Sequence, residues 1–301
     1  MKIRIGTRGS KLALWQAHYI KTLLEKIDAG NAVELVIIKT SGDAIQDVSL
    51  TDIGGKGLFV KEIEKALLSK EIDIAVHSMK DMPAEIPEGL FIAATPPAEE
   101  PWDALVFNKR TTLAGLKPDA VIGTTSLRRI VQLKKINAGL KFAMLRGNID
   151  TRIRKLMSGQ FDAIVIAYAG MNRLGIKPEF MEKLSIIPAA GQGIIAIEAH
   201  KDAIALRPFL DRLNDTRTFY RALAERGFVT RLGASCQIPA GAHADVINDS
   251  IRIEGFIADM KGTEFYQSTM SGTREQAYDT GVRLAEELLE SGASRFAGQQ
   301  V

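Results

Sequence analysis

The strongest constraint on this chain is an alternation of strand-like and helix-like stretches. It stops once, at ATPPAEEPWD (residues 94–103), and then starts again. Three prolines and three acids in ten residues can continue neither a helix nor a central strand. Before the break, KIRIGT reads as a strand, and Leu12, Trp15, Ile20, Leu23, Leu24 and Ile27 fall near helical spacing. VELVIIK reads as a buried strand. GLFVKEIEKALLSK reads as a helix with Phe59, Ile63, Ala66 and Leu67 on one face, and IDIAVH as a further strand. This order implies a mostly parallel sheet with helical crossovers, the mark of an α/β fold.

After the break, ALVF and AVIGT read as strands, and Ser126 is placed to cap a helix through Leu127, Ile130 and Leu133. KFAMLR reads as a strand, NIDTRIRKLMSG as a helix ending at Gly159, and DAIVIA as a strand. This is a second α/β unit of similar size, with no sequence repeat between the two. IIPAAGQGIIAIEAH reads as an extended segment crossing back to the first unit, and a helix follows over residues 215–230. SIRIEGFIADMKGTEFYQSTM then alternates in the manner of antiparallel strands. Thr273 opens a last helix that ends near Gly292. The final part is therefore a small α+β domain, and it carries Cys236 near its start.

Cys236 is the only cysteine in the chain, so neither an internal disulfide nor a thiolate metal cage can be built. Hydrophobic residues at 46% and charged residues at 25% supply an ordinary globular core that needs no such staple. The opening MKIRIGTRGSKLALWQ lacks the apolar segment of a secretory signal, and no apolar run reaches the length of a membrane span. With the lone thiol, this points to the reducing cytoplasm. The net charge is +3 and unevenly placed: residues 121–160 hold nine Lys or Arg against one acid, Asp150. A local basic field in a nearly neutral chain suggests an anionic ligand.

Ligands of open α/β sheets bind beyond the carboxyl ends of strands. TRGS (7–10), HSMKDMP (77–83), GTTSLRR (123–129), LRGN (145–148) and AYAGMNRLG with Arg173 all fall at such ends. GGKG (54–57) and GQG (191–193) add backbone N–H groups, although GGKG lacks the Ser or Thr that would make it a nucleotide phosphate loop. A single Arg after a strand is commonly a solvated surface residue. Five strand ends bearing Arg, or Lys with Ser, that a two-lobed fold aims at one cleft suit a ligand with many carboxylates. Asp81 is the one acid in HSMKDMP. It is either a turn residue before Met-Pro or the partner of a species that develops positive charge. Cys236 is either a small buried hydrophobe or a thiol that carries a covalently attached group. The four histidines do not place it in a cysteine-hydrolase context.

In their order and spacing, GTRGSKLALWQA, GGKGLFVKEIE, DIAVHSMKDMP, GTTSLRR, LRGNIDTRIRKL, AGMNRLG, PAAGQG and CQIP resemble the porphobilinogen deaminase (hydroxymethylbilane synthase) family over almost the full length. The resemblance implies two α/β lobes of the type II periplasmic-binding-protein kind with mixed sheets, plus a small α+β C-terminal domain. Its implied boundaries are residues 1–96 with 194–214, residues 97–193, and residues 215–301. It implies a transferase of tetrapyrrole and haem biosynthesis that joins four porphobilinogens head to tail, releasing ammonia. The product is hydroxymethylbilane, built on a dipyrromethane cofactor held by a thioether. By position, the thioether falls on Cys236, and the catalytic carboxylate on Asp81. The cofactor-binding set falls on Ser78, Lys80, Asp81, Thr124, Thr125, Ser126, Arg128, Arg129, Arg146 and Gly147. The substrate-binding set falls on Arg8, Ser10, Lys56, Arg146, Arg152, Arg173 and Gln192. No metal, nucleic acid or membrane is implied. The expected state is a cytoplasmic monomer that hands its product transiently to uroporphyrinogen-III synthase.

Two features depart from the family pattern: Asp52 stands where relatives carry a basic residue before GGKG, and GAS precedes CQIP where relatives often have GG. A non-catalytic two-lobed binding protein would explain an arginine-lined cleft but neither Cys236 nor a third domain. RNA binding by residues 121–160 would call for aromatic stacking residues, and that window holds only Phe142.

Overall fold

The computed structural model describes residues 1–41, 60–233 and 238–297. Asp52, Lys56, Phe59, the GGKG stretch and Cys236 lie outside the described residues.

The chain opens with β1 (Lys2–Thr7), α1 (Lys11–Ile27), β2 (Ala32–Ile37), α2 (Lys61–Leu68), β3 (Ile74–Ser78) and β4 (Leu90–Ala94). Past the proline-acid break come β5 (Asp103–Phe107), β6 (Val121–Gly123), α3 (Leu127–Ile136), β7 (Lys141–Ala143), α4 (Ile149–Met157), β8 (Ala163–Ala167), α5 (Tyr168–Arg173) and β9 (Phe180–Lys183). The chain then returns as β10 (Ile195–His200), α6 (Arg207–Leu213) and α7 (Thr216–Leu232). There follow β11 (Ala240–Ile247), β12 (Ser250–Ala258), β13 (Phe265–Thr273) and α8 (Ala277–Leu288), and a short helix, Ser294–Ala297, ends the described residues. It divides into two compact units, Met1–Glu99 with Ile194–Ala222, and Glu100–Gly193 with Leu223–Val301.

The first unit holds a sheet of order β2-β1-β3-β10-β4, and the second a sheet of order β7-β6-β8-β5-β9. In the first, β1 runs parallel to β2 and β3, while β10 runs antiparallel to both its neighbours. In the second, β6 runs parallel to β7 and β8, while β5 runs antiparallel to both its neighbours. Both sheets are therefore mixed, and they share one plan: the antiparallel strand in each is the first strand made after the chain changes units. Two mixed α/β sheets of this plan, with a three-stranded antiparallel sheet β11-β12-β13, match the fold class expected from the sequence.

Helix α1 starts where Ser10, in extended conformation, accepts the Ala13 N–H, and it buries Ile20 and Leu24. Those side chains join Ile3, Ile5, Ile74, Val76 and Ile197 in one core layer of the first sheet. Ile63 and Leu67 of α2, with Ile72 and Leu90, form another cluster. In the second unit Leu105, Ile122, Leu133 and Val165 form one layer, and Val106, Ile164, Ile166 and Leu156 another. Beyond these, Val131 and Ile187 pack with Phe256 and Ala258 of β12, which joins the three-stranded sheet to the second α/β sheet within one unit.

Several local expectations change. β2 is an edge strand rather than a buried one, and Ile37 at its end is 58% exposed, because β1 is its sole neighbour in the sheet. Ser126 occupies the N-cap position of α3, yet its hydroxyl makes no capping bond. Thr273 does not cap the last helix: a 3-10 turn, Arg274–Gln276, intervenes, and α8 begins at Ala277.

α7 and α8 approach so closely that only glycine fits at their contact. A Cβ at Gly281 would lie 1.9 Å from the Ala224 carbonyl oxygen, and one at Gly227 would lie 2.1 Å from the Tyr278 carbonyl oxygen. Backbone cannot yield as a side-chain tip can, so Gly281→Ala must spread the helices. We expect a loss of roughly 2–3 kcal/mol from overpacking, read in thermal denaturation as a Tm lower by several degrees.

Candidate active site

In the first unit, a pocket forms where the loop after β1 meets the loop after β3. Arg8, Ser10, Gln16, His77, Ser78 and Asp81 line it together with Leu12 and Val76. Among its described lining residues Asp81 is the sole carboxylate. The loop after β1 supplies Arg8, and the first turns of α1 supply Ser10 and Gln16. Because the Ser10 oxygen accepts the Ala13 N–H at 3.3 Å, its hydroxyl proton is directed elsewhere. The Gln16 amide donates to the Ser78 hydroxyl at 2.9 Å and so ties α1 to the end of β3.

Asp81 sits on a 3-10 turn, Met79–Asp81. The turn is anchored at both ends: Met79 and Met82 are buried, while Lys80 and Asp81 between them are exposed. The Met79 N–H donates to the Ile194 carbonyl at 3.0 Å, so the turn hangs on the strand that returns to this unit. The structure thus brings Arg8, Ser10, Ser78 and Asp81 to one pocket, with Lys80 exposed beside Asp81 on the same turn.

In the second unit, Arg128 and Arg129 open α3, and both are buried. They converge on Asp103, the last residue of the proline-acid break and the head of β5. Arg128 Nη2 meets Asp103 Oδ2 at 2.7 Å, and Arg129 Nη2 meets Asp103 Oδ1 at 2.6 Å. Further N–H groups donate to backbone carbonyls, Arg128 to Ile187 at 2.7 Å and Arg129 to Val165 at 2.9 Å. Gln192 joins the same hub, donating to Asp103 Oδ1 at 3.0 Å and to the Pro101 carbonyl at 2.6 Å. Burial alone would push the Asp103 carboxyl up, but the two guanidiniums override it and hold the group well below the usual carboxylate range. Arg128 is lowered from its ordinary value by burial first and by Arg129, against the pull of Asp103. Two cations against one anion leave the hub with one net positive charge at the base of a strand-end loop.

Around this hub, Thr124 is buried, Thr125 exposed and Ser126 half-buried. Arg146 and Arg152 belong to a second local group. Gly147, at φ +108°, turns the chain into α4, so that Arg152 Nε donates to its carbonyl at 2.7 Å and Lys155 Nζ to the Arg146 carbonyl at 3.3 Å. Arg173, buried at the end of α5, donates to the Gly193 carbonyl at 2.6 Å, beside Gln192. The second unit therefore joins Arg128, Arg129 and Gln192 through Asp103, and Arg146, Gly147 and Arg152 through α4.

Sequence reasoning missed Asp103, Gln16 and the His77–Glu198 contact described below. The signal for Asp103 was present: an acid heads DALVF, a strand buried at every position, and such a charge requires a cation.

The family description "Porphobilinogen deaminase, dipyromethane cofactor binding domain" matches residues 3–207, and "Porphobilinogen deaminase, C-terminal domain" matches residues 219–290. A porphobilinogen deaminase of Nitratidesulfovibrio vulgaris (strain DP4) is 50% identical over 297 residues, covering 97% of this chain and 94% of that one. One from Maridesulfovibrio salexigens is 47% identical over 298 residues, covering 98% and 97%. One from Geobacter sulfurreducens is 47% identical over 301 residues, covering 99% and 94%. With matches of this identity along nearly the whole sequence, the chain belongs to the porphobilinogen deaminase family.

Proposed function

We propose that the protein condenses four porphobilinogens head to tail on a dipyrromethane primer bound through Cys236, releasing four ammonia and taking up one water, to give hydroxymethylbilane. The observation that carries this reading is the pocket of the first unit, where one carboxylate, Asp81, stands among a guanidinium and hydroxyls from Arg8, Ser10 and Ser78.

The side chains present fit such a group. The donors of both units are guanidinium, amide and hydroxyl, which suit the acetate and propionate arms of pyrroles, and Arg grips a carboxylate with two parallel bonds. When bound, the dipyrromethane supplies an electron-rich pyrrole carbon and keeps the growing product tethered. Cys236 would anchor it. Thr124, Thr125, Ser126, Arg128, Arg129, Arg146 and Gly147 of the second unit, with Ser78 and Lys80 of the first, would hold its carboxylates. Arg8, Ser10, Lys56, Arg146, Arg152, Arg173 and Gln192 would hold those of the substrate. Loss of ammonia breaks the aminomethyl C–N bond and leaves positive charge on the substrate pyrrole. Asp81 stabilises that charge as it develops, and afterwards takes a proton from the coupled ring.

The division into residues 1–96 with 194–214, 97–193 and 215–301 belongs to the same reading, and a separate C-terminal family match that begins at residue 219 supports it. The same reading includes a cytoplasmic monomer that passes its product to uroporphyrinogen-III synthase. No helix among the described residues is long and apolar enough to cross a membrane.

The test is the intact mass of the denatured protein. We expect an excess equal to two linked pyrrole units, lost together with turnover in Cys236→Ala. A fully active chain of unmodified mass overturns the reading.

A further inference from the structure

Behind the Asp81 turn lies a buried group of side chains that the proposed chemistry does not use. His77, which lines the pocket, is the residue before Ser78 on β3, and its Nε2 lies 3.1 Å from Glu198 Oε2 on β10. The two side chains are buried, Glu198 completely. The strands bring them together through an antiparallel register that pairs His77 with Ala196 and Ser78 with Ile195. Glu64, 6% exposed, lies on α2, whose Ile63, Ala66 and Leu67 pack against Ala75, the register partner of Glu198 on β10.

Two of the group's oxygens, Glu198 Oε1 and Glu64 Oε1, have no hydrogen-bond partner among the described residues. Two ionised carboxylates cannot share a dry interior in that state, because an unpaired buried charge is far more costly than a protonated acid. A single proton removes both difficulties, since it neutralises one carboxyl and turns an orphaned acceptor into a donor.

We propose that Glu64, His77 and Glu198 form one proton-sharing unit that holds the Ser78–Asp81 turn from behind, with Glu64 carrying the shared proton and Glu198 acting as the positioning residue. The surroundings agree. Burial, and next the charge of Glu198, push the Glu64 carboxyl up to about 7, against the opposing pull of His77 and Lys61. From the other strands α2 covers, β1 directs Lys2 to Glu34 and Arg4 to Asp73, and β4 (LFIAA) carries no charged residue. Glu198 acts on the reaction through His77 and through β10, just ahead of which the Ile194 carbonyl receives the N–H of Met79. It touches no reacting atom.

The positioning part rests on the reading of Asp81 given above; the proton-sharing part does not, so the experiment separates them. Carboxyl carbon NMR of the intact protein follows the titration of Glu64. In the wild type we expect a midpoint near neutrality, and in Glu198→Gln, which removes the repelling charge, a midpoint at least one pH unit lower. A wild-type midpoint in the ordinary carboxylate range, or one that Glu198→Gln leaves in place, overturns the proton sharing. Should Glu198→Gln fail to fold, Glu64→Gln replaces it. Because the raised Glu64 favours folding most at low pH and this advantage is lost as pH rises through about 7, wild-type stability should fall across that window, and Glu64→Gln should abolish that slope. An unchanged slope overturns the proposal. For positioning, Glu198→Gln should lower kcat for porphobilinogen at least tenfold with KM within twofold, and an unchanged kcat overturns that part alone.

Discussion

Asp81→Asn lowers turnover by roughly a hundred- to a thousandfold while leaving the covalently loaded mass intact. The argument is electrostatic. Two unit charges ~4 Å apart attract by only ~1 kcal/mol in water but by ~4 kcal/mol at an effective dielectric of ~20. Asp81 is exposed on its turn, which alone would favour the smaller figure. Pyrrole rings seated in the pocket against Leu12 and Val76 displace water and move the site toward the larger one. At ~1.4 kcal/mol per tenfold in rate, ~4 kcal/mol is worth nearly a thousandfold. Asparagine keeps the size and hydrogen-bonding shape and removes only the charge, so the loss should appear in kcat with little change in KM. Single-turnover ammonia release measures it directly. A kcat within fivefold of the wild type would remove Asp81 from the charge-stabilising role.

Asp103→Ala has the largest expected effect on stability. It strands two buried guanidiniums and an amide that share one carboxylate. Breaking a buried ion pair from one side costs about 3–5 kcal/mol, because the remaining charge keeps its desolvation penalty without its partner. Denaturant titration reads the loss. The cost should be greater in the protein without its pyrrole group than in the loaded protein, since the ligand's carboxylates would then give Arg128 and Arg129 a substitute anion and stabilise the folded state by mass action. Equal losses in the two forms would mean that these arginines serve the fold alone. The pH dependence has a definite sign. Asp103 is depressed below its unfolded value, so its contribution is complete above the ordinary carboxylate range and is lost only as pH falls towards its folded value. That is opposite in sign to Glu64, whose contribution is lost as pH rises through about 7.

Much of this was legible in the residues because it is local. Periodicity placed α1 and β3, and the rule that ligands gather beyond strand ends picked out Arg8, Ser10, Ser78 and Asp81, which one pocket unites. The partners were not legible. Asp103 lies 25 and 26 residues from its two arginines, and His77 lies 121 residues from Glu198. Such pairs exist only because β5 and β10 are inserted inside their sheets, and no pattern within a strand reveals which strand will be its neighbour. β9, four residues of half-exposed edge, and β11, AGAHADVI with little β-branched content, carry weak signals of their own and owe their form to the strands beside them.

The inserted strand has a consequence for biosynthesis. Between β3 and β4 there is a gap that only Ile195–His200 fills. A nascent chain that has emerged as far as Gly193 holds every residue of the Asp81 turn but neither Ile194, whose carbonyl receives the Met79 N–H, nor the strand that follows it. The amino-terminal sheet is therefore completed only after every strand of the second α/β sheet has been made, and the ribosome must deliver two thirds of the polypeptide before the Asp81 turn has a fixed address.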